Sequence, residues 1–207
     1  MIEIVKPMDI EKRSFEIITQ LLGEHQPSPE VADVVKRVIH TTADFDYADN
    51  LVFSKDAVQN GIDALRAGCV VVTDTTMAMA GINKTALHKL EGEVRCFIAD
   101  PDVAREAKER GITRSAVSME RAAELDKPCI FAVGNAPTAL LTIKDLMDGG
   151  KLSPALIIGV PVGFVNVVES KERIIASDAP YIVARGRKGG SNVAAAIVNA
   201  LLYRITR

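Results

Sequence analysis

Tryptophan is absent, and aromatic residues make up only 4% of the 207-residue chain. So few flat rings argue against stacking on single-stranded bases. An excess of one charge is missing too. The 25 Lys and Arg face 27 Asp and Glu, a formal net charge of -2. That excludes a broad basic footprint for nucleic acid, although a local basic patch stays open. The three cysteines, Cys69, Cys96 and Cys129, are odd in number, widely spaced and form no CxxC. A zinc ribbon or redox pair is therefore not indicated. Each lies in or beside an apolar run, where a free thiol acts as a small hydrophobe. The histidines His25, His40 and His88 show no metal-ligand spacing, so no metal site is expected. No uncharged apolar stretch is long enough to span a bilayer. The opening segment MIEIVKPMDIEKR carries charge too early for a signal core. A cytoplasmic protein without membrane or nucleic-acid partners is expected.

What is present is an ordinary globular balance, 48% hydrophobic and 25% charged. There is no linker, repeat or low-complexity tract, so residues 1–207 are read as one domain. Five short apolar runs recur: CVVVT at 69–73, VRCFI at 94–98, CIFAV at 129–133, LIIGV at 156–160 and YIVA at 181–184. They show little polar alternation, as strands of a parallel sheet buried on both faces do. Helical patterns lie between them at 101–110, 115–126 and 137–148, with one before the first run at 56–66 and one closing the chain at 191–204. Two more precede the sheet. One spans 10–22 and ends at Gly23; the other starts at Ser28-Pro29, with Pro at the first helical position, and runs to about Ile39. The predicted class is α/β: a three-layer, doubly wound, five-stranded parallel sheet, flavodoxin-like, with extra N-terminal helices.

Ligands of such sheets bind outside the C-terminal strand ends. The segment after the fifth run, Arg185-Gly186-Arg187-Lys188-Gly189-Gly190-Ser191, joins three cations and three glycines to a helix start. That makes it an anion site by composition. Its spacing matches neither phosphate-loop fingerprint, so a nucleotide-binding regulator is a weak reading. Gly134-Asn135-Ala136-Pro137 is a second tight strand-to-helix turn, with Pro137 at the helix start. Asn135 can donate to a ligand there. In the early helix Val31, Val34, Val35 and Val38 form one stripe, and Arg37 and His40 fall off it. Three residues apart, the two are neighbours. An imidazole so placed can act as acid or base near neutral pH.

Eight stretches together resemble the precorrin-8X methylmutase family, which includes the cobalt-precorrin-8 methylmutases of corrin synthesis. They are RSFEII (13–18), RVIHTT (37–42), FSKDAV (53–58), VVTDTTMAMAGI (71–82), TRSAVSM (113–119), AVGNAPTALL (132–141), LIIGVPVGFVNVVESK (156–171) and ARGRKGGSNVAAAIVNAL (184–201). The resemblance implies a flavodoxin-like homodimer with active sites near the subunit interface. The reaction it implies moves a methyl group from C-11 to C-12 of the macrocycle, giving hydrogenobyrinate or cobyrinate without a cofactor. His40 stands where the family has its catalytic histidine, and Arg37 and Ser14 where substrate contacts are expected. The substrate is a flat apolar ring bearing many carboxylates. Arg114, Ser115, Arg185, Arg187, Gly189, Gly190 and Ser191 are assigned to it, as are Thr41, Asp74 and Asn135 by position. After RVIH this chain departs from the expected small Ala-Cys-Gly type of sequence and carries Thr41-Thr42-Ala43-Asp44 instead. The runner-up reading is a non-catalytic tetrapyrrole carrier on the same scaffold, which would need the cations and glycines but no imidazole at position 40.

Overall fold

The computed structural model describes Lys6 and residues 9–207. Residues 1–5, 7 and 8, which carry most of the reading that no signal core is present, lie outside the described residues. The sheet has six strands: β1 (Leu51–Phe53), β2 (Val70–Thr73), β3 (Glu93–Arg95), β4 (Cys129–Val133), β5 (Leu156–Gly159) and β6 (Tyr181–Ala184), in the order β1-β6-β5-β4-β2-β3. All neighbours are parallel except β1, which pairs antiparallel with β6, Leu51 opposite Ala184.

The sheet thus departs from five all-parallel strands. The three residues of β1 are too short to leave a pattern, and only pairing at the open edge makes them a strand. The VRCFI run also shifts: its strand is Glu93–Arg95, because the chain pairs there with Val70 to Val72 and then leaves the sheet edge.

The described helices are α1 (Ile10–Leu22), α2 (Ala32–Thr42), α3 (Tyr47–Asn50), α4 (Ala57–Arg66), α5 (Thr76–Gly81), α6 (Lys84–His88), α7 (Pro101–Arg110), α8 (Arg114–Ala122), α9 (Pro137–Asp148), α10 (Val167–Ile175) and α11 (Ser191–Thr206). Helices α3, α5, α6 and α10 are not among the sequence expectations. Helix α2 starts three residues later than Pro29. Residues 28–31 instead close a turn, the Val31 N–H donating to the Ser28 carbonyl at 3.0 Å. Pro29 thus takes the second position of a turn, its other preferred site.

Alternate strand residues point to opposite layers. Val71, Ile130, Ala132, Leu156, Ile158 and Ile182 pack with α2, α4 and α11. Val70, Val72, Phe131, Val133, Ile157 and Val183 pack with residues of α8, α9 and α10. A strand flanked on both faces has no polar side to show, which is why the runs read as uninterrupted apolar blocks. Burying Phe131 completely makes its truncation to Ala worth about 3–5 kcal/mol. Cys69 and Cys129 are buried in these layers, whereas Cys96 is only half-buried. Burial pushes the Cys69 thiol up to about 12 and Cys129 to about 11, so both stay protonated and inert.

Candidate active site

Helices α2 and α11 run antiparallel. Arg204, near the end of α11, is bonded to Asp33 at the start of α2. At the opposite ends, Thr41 and Asn192 line one cavity of about 260 Å³ together with Arg37, Gly81, Ala195 and Tyr203. This packing brings the C-terminal end of α2 beside the start of α11, at the carboxyl ends of the parallel strands. The contact is sealed by Lys188, whose ammonium donates to Asp44 and Asp46 at 2.6 Å each. Those carboxylates hold the Lys188 charge at a raised pKa.

His40 is exposed on this helix end, its ring 5.6 Å from that of Phe15 on α1. Phe15 in turn lies 4.8 Å from the Arg37 guanidinium. Arg37 is largely committed: both terminal nitrogens donate to Glu11 at 3.0 Å, and Tyr203 lies on it at 5.1 Å. The Arg37 guanidinium, bonded to Glu11, holds that carboxyl down to about 2. Ser14 donates to the Ile10 carbonyl and Thr41 to the Arg37 carbonyl, each one turn back. In this structure Arg37 therefore ties α1 to α2 and α11. A groove of about 810 Å³ between these helices includes Arg37 and Phe15 but not His40 or the strand-end loops.

The strand-end loops are held from within. Asp74 is 1% exposed. Its carboxylate accepts the amides of Gly134, Asn135 and Ala136 at 2.7–2.8 Å. Burial raises its pKa, opposed by those three donors. Asp74 thus does the capping work before Pro137, and Asn135 is left with an exposed side chain. The close approach of α11 requires Gly134, since a Cβ there would stand 2.7 Å from the Ser191 Cα. Ser191 and Thr75 share a hydroxyl contact of 2.7 Å. Arg114 and Ser115 open α8 on the other face of the sheet, joined to the start of α9 by the Thr113–Thr138 hydrogen bond of 3.1 Å. The strand ends lie between these residues and His40.

The three cations of the glycine-rich loop separate clearly. Arg185 is paired with Glu172 at 3.0 Å and Lys188 with its two aspartates. Arg187 alone of the three has no carboxylate partner among the described residues; its guanidinium lies 5.9 Å from the Phe164 ring. Beneath the loop sits Lys171, fully buried and donating to the carbonyls of Gly186 and Lys188. Sequence reasoning placed Phe164 among the candidates after the fourth run, in Pro161-Val162-Gly163-Phe164, but did not single out Lys171 or Phe15. For Lys171 a signal existed: it shares the buried stripe of α10 with Val167, Ser170 and Ile174, where a lysine is out of place.

The precorrin-8X methylmutase family model matches residues 9–204. The chain belongs to this family. It is 50% identical to the cobalt-precorrin-8 methylmutase of Salmonella typhimurium, over 98% of this chain and 97% of that protein. It is 46% identical to the cobalt-precorrin-8 methylmutase of Priestia megaterium, over 95% and 88%. The crystal structure of the precorrin-8X methylmutase of Thermus thermophilus superposes with a TM-score of 0.86 at 39% identity, covering 94% of this chain and 96% of that one. A methylmutase is an intramolecular methyl-transferring isomerase, here of cobalamin biosynthesis. Nothing in these relatives favours a non-catalytic carrier. Among the described residues no helix is long and apolar enough to cross a membrane, and no group of three or more His, Cys, Asp or Glu could hold a metal ion.

Proposed function

We propose that this methylmutase moves a methyl group from C-11 to C-12 of precorrin-8X or cobalt-precorrin-8, with His40 as the acid–base group. The observation that carries the reading is the placement of His40. Its exposed imidazole ends a helix tied to the glycine-rich loop through Lys188, Asp44 and Asp46. The product is an isomer of the substrate, so the balance is one C–C bond broken at C-11, one formed at C-12 and one proton relocated. That needs no oxidant, no reductant and no cofactor of the protein's own. The imidazole moves the proton, and positioning and electrostatics supply the rest.

The ring is bound at the strand ends. Arg187, with the amides of Gly189 and Ser191, reads a carboxylate; Asn135, Arg114 and Ser115 face it from the other side of the crevice. The Gly190 amide is already given to the Val160 carbonyl at 2.9 Å. Phe164, 82% exposed, and Met77, 70% exposed, offer apolar surface at the same end of the sheet, suited to a flat macrocycle. Arg37, Ser14, Thr41 and Asp74 shape the site from behind through the contacts described above.

The order of the parallel strands, β3-β2-β4-β5-β6, supports a flavodoxin-like reading, with residues 1–207 as one domain in the cytoplasm. A homodimer fits the exposed apolar residues on α1, Ile10, Ile17 and Leu21. Sedimentation at micromolar concentration is then expected at twice the chain mass; a catalytically active monomer refutes the dimer. The activity itself is tested by mixing the purified protein with precorrin-8X and, separately, with cobalt-precorrin-8 and following the visible absorption. Conversion of at least one to its corrin product is expected; no conversion of either refutes the reading.

A further inference from the structure

Lys171 is a fully buried cation without an ion pair among the described residues. Buried ammonium groups are rare, and without a carboxylate they cost free energy that some other contact must offset. Here the acceptors are main-chain: Nζ donates to the Gly186 and Lys188 carbonyls, each at 2.8 Å. The carbonyl between them, that of Arg187, accepts the Gly163 N–H at 3.2 Å. Three consecutive carbonyls are thus drawn into the protein. Beyond them Gly189, at φ +159, passes so close to the end of β5 that a Cβ would stand 2.1 Å from the Val160 oxygen. The amides of Arg187, Lys188 and Gly189 meet no protein acceptor among the described residues.

We propose that Lys171 is a positioning residue of the substrate site, its buried ammonium fixing the 185–190 loop so that Arg187 and the loop's free amides face a carboxylate of the macrocycle. The proposal rests on the function assigned above and deepens it. Burial lowers the Lys171 pKa to about 8, the direction expected of an ammonium that has carbonyls but no carboxylate beside it. Lys171 touches no substrate itself; it acts through Arg187 and the neighbouring amides.

The test uses the full chain carrying Lys171→Met, which keeps an apolar stem of similar length and removes the donor. Three quantities are read: the affinity for hydrogenobyrinate by visible absorption, the single-turnover rate constant of bound substrate, and hydrogen exchange of the Gly163 and Gly190 amides without pigment. The dissociation constant should rise about tenfold or more, the worth of a hydrogen bond to a charged group. The rate constant of bound substrate should change little. Exchange of the Gly163 and Gly190 amides, which donate to the Arg187 and Val160 carbonyls, should quicken while the sheet amides keep their protection. In an Arg187→Ala background Lys171→Met should cost much less affinity than in the parent, as for residues that act through one contact. Lys171→Gln, shorter but still a donor, replaces the Met variant if that does not fold, with a partial loss expected. Parental affinity together with parental exchange in a folded variant overturns the proposal, as does full additivity with Arg187→Ala. If the parent takes up no hydrogenobyrinate, the proposed function falls, and the exchange result alone then decides whether Lys171 holds the loop.

Discussion

The Arg37 guanidinium lies 4.8 Å from the centre of the Phe15 ring, and that same ring is the aromatic neighbour of His40 at 5.6 Å. The two residues that the sequence places side by side on α2 are therefore joined through a third, on α1. Arg37 faces inward, its side chain 14% exposed and bonded to Glu11, whereas His40 faces out.

Arg37→Ala is accordingly expected to act on stability as well as on binding. It removes two charge-assisted hydrogen bonds and the contacts with Phe15 and Tyr203. A loss of about 1–3 kcal/mol is expected from denaturant midpoints at unchanged slope. Glu11→Gln should reproduce part of it, and the pair should be non-additive. An Arg37→Ala protein of parental stability would show the Glu11 contact to be dispensable.

His40→Asn should leave the fold intact, because the ring is exposed and no hydrogen bond ties it to another of the described residues. Turnover is expected to fall by about 10²–10⁴-fold, the usual contribution of a general acid or base, with pigment affinity nearly unchanged. Parental turnover in this variant removes the assigned role. Loss of affinity and turnover together would make His40 a pigment-holding residue.

Among the loop cations, Arg187→Ala should weaken pigment binding most, by about 1–3 kcal/mol, with the loss shrinking in high salt. Arg185→Ala and Lys188→Ala should cost less, since Glu172, Asp44 and Asp46 already neutralise them. Titrations of the three variants at two salt concentrations check the order. Equal losses from all three would mean that those ion pairs open when the pigment binds.

Lys171 gives stability a pH dependence of defined sign. Its native pKa is lowered to about 8 from 10.5, so between these values the unfolded chain holds more protons than the native one. Stability contributed by this group must then rise with pH across that window, by about 3 kcal/mol at 1.36 kcal/mol per pKa unit. Denaturant midpoints of the parent minus those of Lys171→Met, from pH 7.5 to 10.5, should climb accordingly. A flat difference would mean that the native ammonium is solvated.

Four of the five apolar runs as strands, the boundaries of α1, α7 and α9, and the exposed setting of His40 were determined by the sequence itself. Each depends on local pattern: unbroken β-branched blocks, Pro at a helix start as at Pro101 and Pro137, and a valine stripe that leaves positions 37 and 40 off the core. What the cations and carboxylates do was decided only by tertiary structure. Arg37 finds Glu11 26 residues away, Lys188 finds Asp44 across 144 and Lys171 reaches Gly186 and Lys188 from another helix. Asp74 reads as a strand-end ligand group in sequence, yet three amides 60–62 residues on consume its carboxylate. Periodicity reports which face of an element is apolar. A charged group's role depends on its partner, and that partner is chosen by the crossover connections that bring distant loops to one end of the sheet.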